Sequence, residues 1–313
     1  MQLHSIEKWE CKACGYVNTA KSGEERRCKK CGILCFKGHS YVKYGILNDY
    51  LPALSTIVGK RGWPHWFIDA CAGSGKVQID NDLVDGSPLI MAKVREKVQR
   101  PSLRCIFIER HEKTYDSLIE AIRPYSEFSE CIHGDCNEKL FEKLGEIPDR
   151  HFAFIFLDPF GLGDPIIKRE TVTKLMERPS TEILMTLSWK GISQVGGYAF
   201  KRYDFDERAR AMAETLDTFF GGREGWWGIE SSYYPHPYQK RRVYLELYKQ
   251  ELQRHYDYVE DIEVPPGSSN PVYYLIFTTR HPKGQEIIQY TLAKWRRWRP
   301  GGHQQLTLPG IEV

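Results

Sequence analysis

The sequence contains no apolar run of about 18 residues, the minimum for a helix that crosses a bilayer, so no membrane span is expected. The opening stretch MQLHSIEKWECKACG carries charges where a secretion signal needs an apolar centre, and no such signal is expected. An excess of one charge is also missing. There are 44 basic and 41 acidic residues, a formal net charge of +3, so any contact with a polyanion has to come from local clustering. No low-complexity tract and no internal repeat is expected, which sets aside solenoids and disordered linkers. Nine cysteines is an odd number, and only four fall into close pairs. That suits a metal site in a reducing, cytoplasmic setting better than a disulfide framework.

What is present is enough for one large domain and one small module: 313 residues, 41% of them hydrophobic. The texture changes near His39, so the boundaries are set at 1–36 and 37–313. Tyr41, Tyr44, Ile46, Leu47, Tyr50, Leu51 and Leu54 recur at helical spacing and predict a helix over 39–58. Strand-like and helix-like stretches then alternate. Strands are expected at 66–70, 103–109, 131–135, 152–158 and 182–188, with helices at 88–99 and 112–122 between them. Alternation of this kind implies a parallel sheet covered by helices on both faces. After 190 the pattern loosens, and 196–240 reads as an insertion or a cover over the site. A helix at 243–255, a strand at 273–279 and a helix at 284–297 follow. The expected sheet has seven strands, mostly parallel, with an antiparallel hairpin at the end.

Cys11-x2-Cys14 and Cys28-x2-Cys31 are two pairs 13 residues apart. A CxxC turn delivers two thiolates to one metal, and a second such turn completes a tetrahedron, so these four are expected to bind structural Zn²⁺. Arg26, Arg27, Lys29 and Lys30 beside them are candidate phosphate contacts, or simply a solvated basic face. The pattern Trp9-x-Cys11-x2-Cys14-x3-Asn18 resembles the RanBP2-type zinc finger, whose members bind single-stranded RNA or ubiquitin. Thr19 replaces the base-stacking Trp of the RNA binders, and Gly15-Tyr16 replaces the Thr-Phe of the ubiquitin binders.

Four features then occur in the order that an adenosine-bearing cofactor requires. Phe67-Ile-Asp69-Ala-Cys-Ala72-Gly73-Ser74-Gly75 is a strand running into a glycine turn that lets backbone approach a ligand. Asp69 is placed to hold an amino group directly or through water. Glu109 ends the next strand, where an acid accepts from ribose hydroxyls. Asp135, in His133-Gly-Asp135, is placed to accept from an adenine amino group. Leu157-Asp158-Pro159-Phe160-Gly161 ends the most apolar strand, where a carboxylate is costly unless it faces a ligand cleft.

This order resembles the Rossmann-like S-adenosylmethionine (SAM) methyltransferases, and the last motif is similar to the Asp/Asn-Pro-Pro-aromatic signature of the amino-group methyltransferases. The resemblance implies that Asp158 and the Pro159 carbonyl hold the acceptor amino group and that Phe160 stacks on the base. The single proline, as in some tRNA guanine-N2 methyltransferases, leaves the acceptor atom open. Replacing Asp158 by Ala is expected to abolish transfer with little loss of stability.

The texture His39…Lys43…Tyr50-Leu51, FIDACAGSGK, Asp85-Gly-Ser-Pro88, FLDPFG and a late LIFTT strand resembles, over about 39–300, the three-Cys-motif partner family. That resemblance implies a radical-SAM-like protein as partner. Nucleic acid is the expected substrate, with Arg296 and Arg297 in the run Lys294-Trp-Arg-Arg-Trp-Arg299 as further contacts, or as basic tips on buried aromatics.

Rival readings are weaker. A phosphate-binding loop needs G-x4-G-K-[ST], but Ala70 and Val77 occupy its first and last positions. A dinucleotide fingerprint needs a third glycine where Gln78 stands. A catalytically silent nucleic-acid-binding or partner protein remains the alternative, against which the four strand-end acids argue.

Overall fold

The computed structural model describes residues 6–21, 26–60, 62–159, 162 and 166–299. The N-terminal module is two hairpin-like halves. Strands β1 (Ile6–Glu10) and β2 (Val17–Lys21) pair antiparallel around Cys11 and Cys14; β3 (Arg26–Arg27) and β4 (Leu34–Phe36) pair antiparallel around Cys28 and Cys31. The two turns are built alike. The Gly15 amide donates to the Cys11 carbonyl and the Gly32 amide to the Cys28 carbonyl, each at 2.8 Å. Both glycines take positive φ, +69° and +72°, which closes the turn without a Cβ penalty. The shared Cys-Lys-x-Cys-Gly at 11–15 and 28–32 is thus a short repeat that the sequence reading passes over.

After a 3₁₀ turn at Gly38–Ser40 comes α1 (Tyr41–Gly59), then β5 (His65–Asp69). The hairpin β6 (Lys76–Ile79) and β7 (Asp82–Asp85) precedes α2 (Ser87–Val98), β8 (Leu103–Glu109), α3 (Glu112–Ile122), β9 (Ser129–His133) and α4 (Cys136–Glu146). Next are β10 (Phe152–Leu157), α5 (Arg169–Glu177) and β11 (Thr181–Leu187). Four helices follow: α6 (Trp189–Arg202), α7 (Glu207–Phe220), α8 (Arg223–Ser231) and α9 (Pro237–Leu252). The chain closes with β12 (Tyr258–Val264), β13 (Tyr273–Thr279) and α10 (Pro282–Trp295).

The main sheet has seven strands in the order β12-β13-β11-β10-β5-β8-β9. Only β13 runs antiparallel, to both β11 and β12. This mostly parallel sheet with helices on both faces is the Rossmann-like α/β architecture expected from the sequence. Alternation along each strand feeds two cores. Cys105 and Phe107 of β8 face the layer of α1, α2 and α10, whereas Ile106 and Ile108 face the layer of α4 to α9. Residues 196–240 are largely helical: Ala199, Ala213, Leu216, Phe219, Trp226 and Ile229 are buried in that second core. Trp295 and Trp298 are core residues too, with the Trp295 indole donating to Asp49 at 2.8 Å.

A second sheet decides where the site forms. Strand β4 pairs parallel to β6, so β3-β4-β6-β7 is one four-stranded sheet spanning the cysteine module and the glycine-turn hairpin. The Gln78 amide stitches the join, accepting from the Lys12 amide at 2.9 Å and donating to the Glu10 carbonyl at 3.2 Å. Gly32 meets α3 so closely that a Cβ there would lie 2.6 Å from the Lys113 backbone.

Candidate active site

Strand order reverses between β5 and β10, and in open α/β sheets ligands bind at the carboxyl ends beside such a reversal. A cavity of 780 Å³ lies there. Its lining comes from the strand tips: Ala70–Gly73 after β5, Ile108–His111 at β8, Gly134 after β9, Asp158 and Pro159 after β10, Thr186 and Ser188 at β11, and Val272 and Tyr273 at β13. The cysteine module supplies a further wall, including Arg26, Arg27 and Leu34 through Lys37. Its size fits a drug-sized or nucleoside-sized ligand.

The glycine turn forms one end. Gly73 (φ +67°) donates its amide to Glu109 at 2.9 Å, and the His111 amide donates to the other Glu109 oxygen at 2.7 Å. The Arg27 guanidinium stands 3.9 Å from that carboxylate and also bonds the Thr114 hydroxyl. Glu109 is therefore a held, oriented carboxylate with lone pairs left over for a ligand. Ala72 lines the cavity beside Gly73, but Ser74 and Gly75 do not. Ser74 turns its hydroxyl to the Lys76 carbonyl at 2.6 Å, and a Cβ on Gly75 would lie 2.6 Å from Ala121. Both shape the turn from behind.

Asp69 is wholly buried beneath the floor and is not part of the lining. One oxygen accepts from the Cys71 amide at 3.2 Å. Burial pushes its carboxyl up to about 7, against the pull of Ser87 and the Cys71 amide. Asp135 is spent differently. It caps α4, accepting from the Asn137 amide at 2.7 Å and the Asn137 side chain at 2.9 Å, with Arg110 at 3.7 Å. Its neighbours Gly134 and Cys136 line the cavity; Asp135 does not.

Asp158 forms the other end, and it is not a free acceptor. One oxygen is 2.5 Å from the ammonium of Lys43, and the other accepts from the Thr186 hydroxyl at 2.6 Å. Lys43 is buried on α1, its nitrogen 4.4 Å from the centre of the Phe36 ring and 5.0 Å from that of Tyr44. Burial by itself lowers a lysine pKa; Asp158 first, then Tyr273 and Asp69, outweigh it and raise it, so the ammonium stays charged. The trace of Lys43 in the sequence is a lysine between Val42 and Tyr44 on an otherwise apolar helix face. Pro159 lines the cavity, while Phe160 lies outside the described residues.

Of the basic residues singled out in the sequence, Arg26 and Arg27 line the cavity, with Arg26 paired to Glu7. Lys29 and Lys30 sit on the exposed second cysteine turn, and Arg296 and Arg297 are exposed after α10; none of these four lines the cavity.

The four cysteines converge. Cys11 and Cys31 sulfurs are 3.6 Å apart, as are those of Cys14 and Cys28, and all four lie within 4.8 Å of one another. A tetrahedral zinc with bonds of about 2.3 Å puts its sulfurs about 3.8 Å apart. Donor type, number and spacing therefore fit one zinc ion with no position left for water.

Among the described residues no helix is long and apolar enough to cross a membrane. No family model matches the chain. No curated protein matches it either. Some solved structures are similar to it at low identity. A Legionella pneumophila protein of the DUF519 family is 12% identical over 82% of this chain and 92% of that one, with a TM-score of 0.46. An O-methyltransferase from Bacillus cereus in complex with SAH is 14% identical over 74% and 80%, at 0.39. Human methyltransferase-like protein 13 in complex with SAH is 10% identical over 86% and 96%, at 0.38.

Proposed function

We propose that this protein is a SAM-dependent methyltransferase whose acceptor is a nucleic-acid base, methylated on an exocyclic amino nitrogen. One observation carries the reading: a single cavity at the sheet's reversal point has an oriented carboxylate and glycine turn at one end and a second carboxylate with a proline at the other. The cofactor would bring a methyl group on a positively charged sulfonium. Catalysis then asks the chain mainly for in-line positioning.

Glu109 would accept from ribose hydroxyls, and Ala72 and Gly73 would let the cofactor lie against backbone. Asp69 would act through the floor rather than by contact. Asp158, oriented by Lys43 and Thr186, and the Pro159 carbonyl would accept from the target amino group and expose its lone pair. The four cysteines would hold structural zinc and so fix the wall that includes Arg26 and Arg27. The nine unpaired thiols are consistent with a cytoplasmic site of action.

The test is incubation with SAM labelled in its methyl group and separate pools of tRNA, rRNA and DNA, followed by counting of each pool. Label in one pool is the expected result. A second reading is favoured by one specific observation: both Asp158 oxygens and the Asp135 side chain are already engaged. On that reading the domain binds SAM without transfer and serves a partner, such as a radical-SAM-like protein. Calorimetric SAM binding with no labelled pool would establish it.

A further inference from the structure

Among the described residues six Lys and Arg side chains line the cavity, and four of them already have partners. Arg26 is paired with Glu7, Arg27 faces Thr114 and Glu109, Lys43 is locked to Asp158, and Arg110 lies 3.7 Å from Asp135. Lys37 and Lys190 are different. Both line the cavity, both are exposed, and neither has a carboxylate partner among the described residues.

Their placement is specific. Lys37 follows β4, next to the Phe36 ring on which the Lys43 ammonium rests. Lys190 lies in the first turn of α6, four residues after the Thr186 that holds Asp158. They reach the acceptor end of the cavity from two chain segments about 150 positions apart, brought together by the tertiary fold. His39 lines the same cavity, edge-on to Tyr273 with ring centres 5.9 Å apart. Burial and then the charge of Lys43 push His39 down to about 4; Lys190 and Lys37 push the same way, and Asp80 opposes them. Among the described residues neither lysine has a carboxylate partner, so both leave their charge facing the cavity. The amino end of α6, whose Ser188 and Gly191 also line the cavity, adds its partial positive charge.

We infer that Lys37 and Lys190 form a phosphate subsite at the acceptor end, gripping a backbone phosphodiester beside the base that Asp158 and Pro159 receive. The inference rests on the nucleic-acid reading above and adds to it. The strand enters along the wall made jointly by the cysteine module and α6, so the module takes part in substrate recognition through its exit segment rather than through the exposed turn that carries Lys29 and Lys30. The identity of the base plays no part in this contact, because phosphates position a strand without specifying it.

The test uses the full chain and a fluorescein-labelled single-stranded RNA, with a DNA strand of the same length alongside. Affinity is followed by anisotropy against salt concentration for the wild type, Lys37→Gln, Lys190→Gln, the double variant and Lys97→Gln. Each phosphate contact on a single strand contributes about 0.7 to the slope of log K against log salt. Each cavity variant should lose about that much slope and the double variant about twice as much. Lys97, which does not line the cavity, should leave the slope unchanged. SAM affinity by calorimetry should be the same in all five proteins. Unchanged slopes in the two cavity variants, or an equal loss in Lys97→Gln, overturn the subsite and leave the nucleic-acid reading standing. A wild type that binds neither strand while still binding SAM overturns both.

Discussion

Asp158 shows what a single residue conceals. As a strand-end acid in a methyltransferase-like motif it looks free to hold a substrate, and its removal looks harmless to the fold. The structure reverses the second point, because Asp158 is the counter-charge of a buried lysine. Asp158→Ala leaves that ammonium unpaired, which costs about 3–5 kcal/mol, whereas replacing both partners by apolar groups of similar size is near neutral. Chemical denaturation should therefore show Asp158→Ala strongly destabilised and Lys43→Met/Asp158→Leu largely recovered, with neither variant transferring methyl groups. If the single variant melts like the wild type, the pair does not hold the fold as described. The position of Asp158 was legible in the sequence; its partner was not, since 115 residues separate them and a lone lysine on a helix usually points to water.

At the level of elements, most long periodic segments were readable to within about two residues, but the helix expected at 243–255 begins six residues earlier, at Pro237. The strands at 103–109 and 273–279 and the helix at 112–122 fall where hydrophobic spacing put them. The hairpin β6–β7 was not foreseen. Its strands are four residues each, and β7 reads DLVD, with no apolar face to signal it. Nor was the helical character of 196–231, where Gly, Trp and Arg disturb a pattern whose buried side is mostly alanine and aromatic. The hairpin matters because it ties the cysteine module to the cavity through β4. Stripping the metal with a strong chelator, or Cys14→Ser, should therefore open residues 6–36 to proteolysis and weaken SAM binding by at least about tenfold, or ~1.4 kcal/mol. Far-ultraviolet circular dichroism should still report the main sheet. Full SAM affinity after metal loss would show that the wall is dispensable for the cofactor.

For the molecule as a whole, Glu182 joins three elements, a helix and two neighbouring strands of the sheet. It is buried on β11, accepting from Tyr50 of α1 and Thr279 beside it on β13, both at 2.6 Å. Burial pushes its carboxyl from 4.5 up to about 7. The folded chain then holds this proton more tightly than the unfolded chain does. The stability it provides is complete below about pH 4.5 and drains away as pH rises toward 7. At ~1.4 kcal/mol per pH unit the loss is roughly 3 kcal/mol. Denaturant melts of the wild type and Glu182→Gln at pH 5 and pH 8 should differ accordingly, with the glutamine variant gaining relative to the wild type at the higher pH. A constant difference between the two would remove Glu182 from this account.

The sequence by itself determined the layered α/β architecture, the four thiols and the carboxylates at strand ends, because each depends on residue type at short spacing: alternation, a two-residue gap, an acid closing an apolar run. Only the tertiary structure decided what those groups face. It assigned Asp135 to a helix cap, sank Asp69 beneath the floor, paired Asp158 with Lys43 and set the cysteine module against the cavity. Those outcomes follow from burial and from contacts between segments distant in the chain, and neither burial nor such contacts leave a local mark in the order of residues.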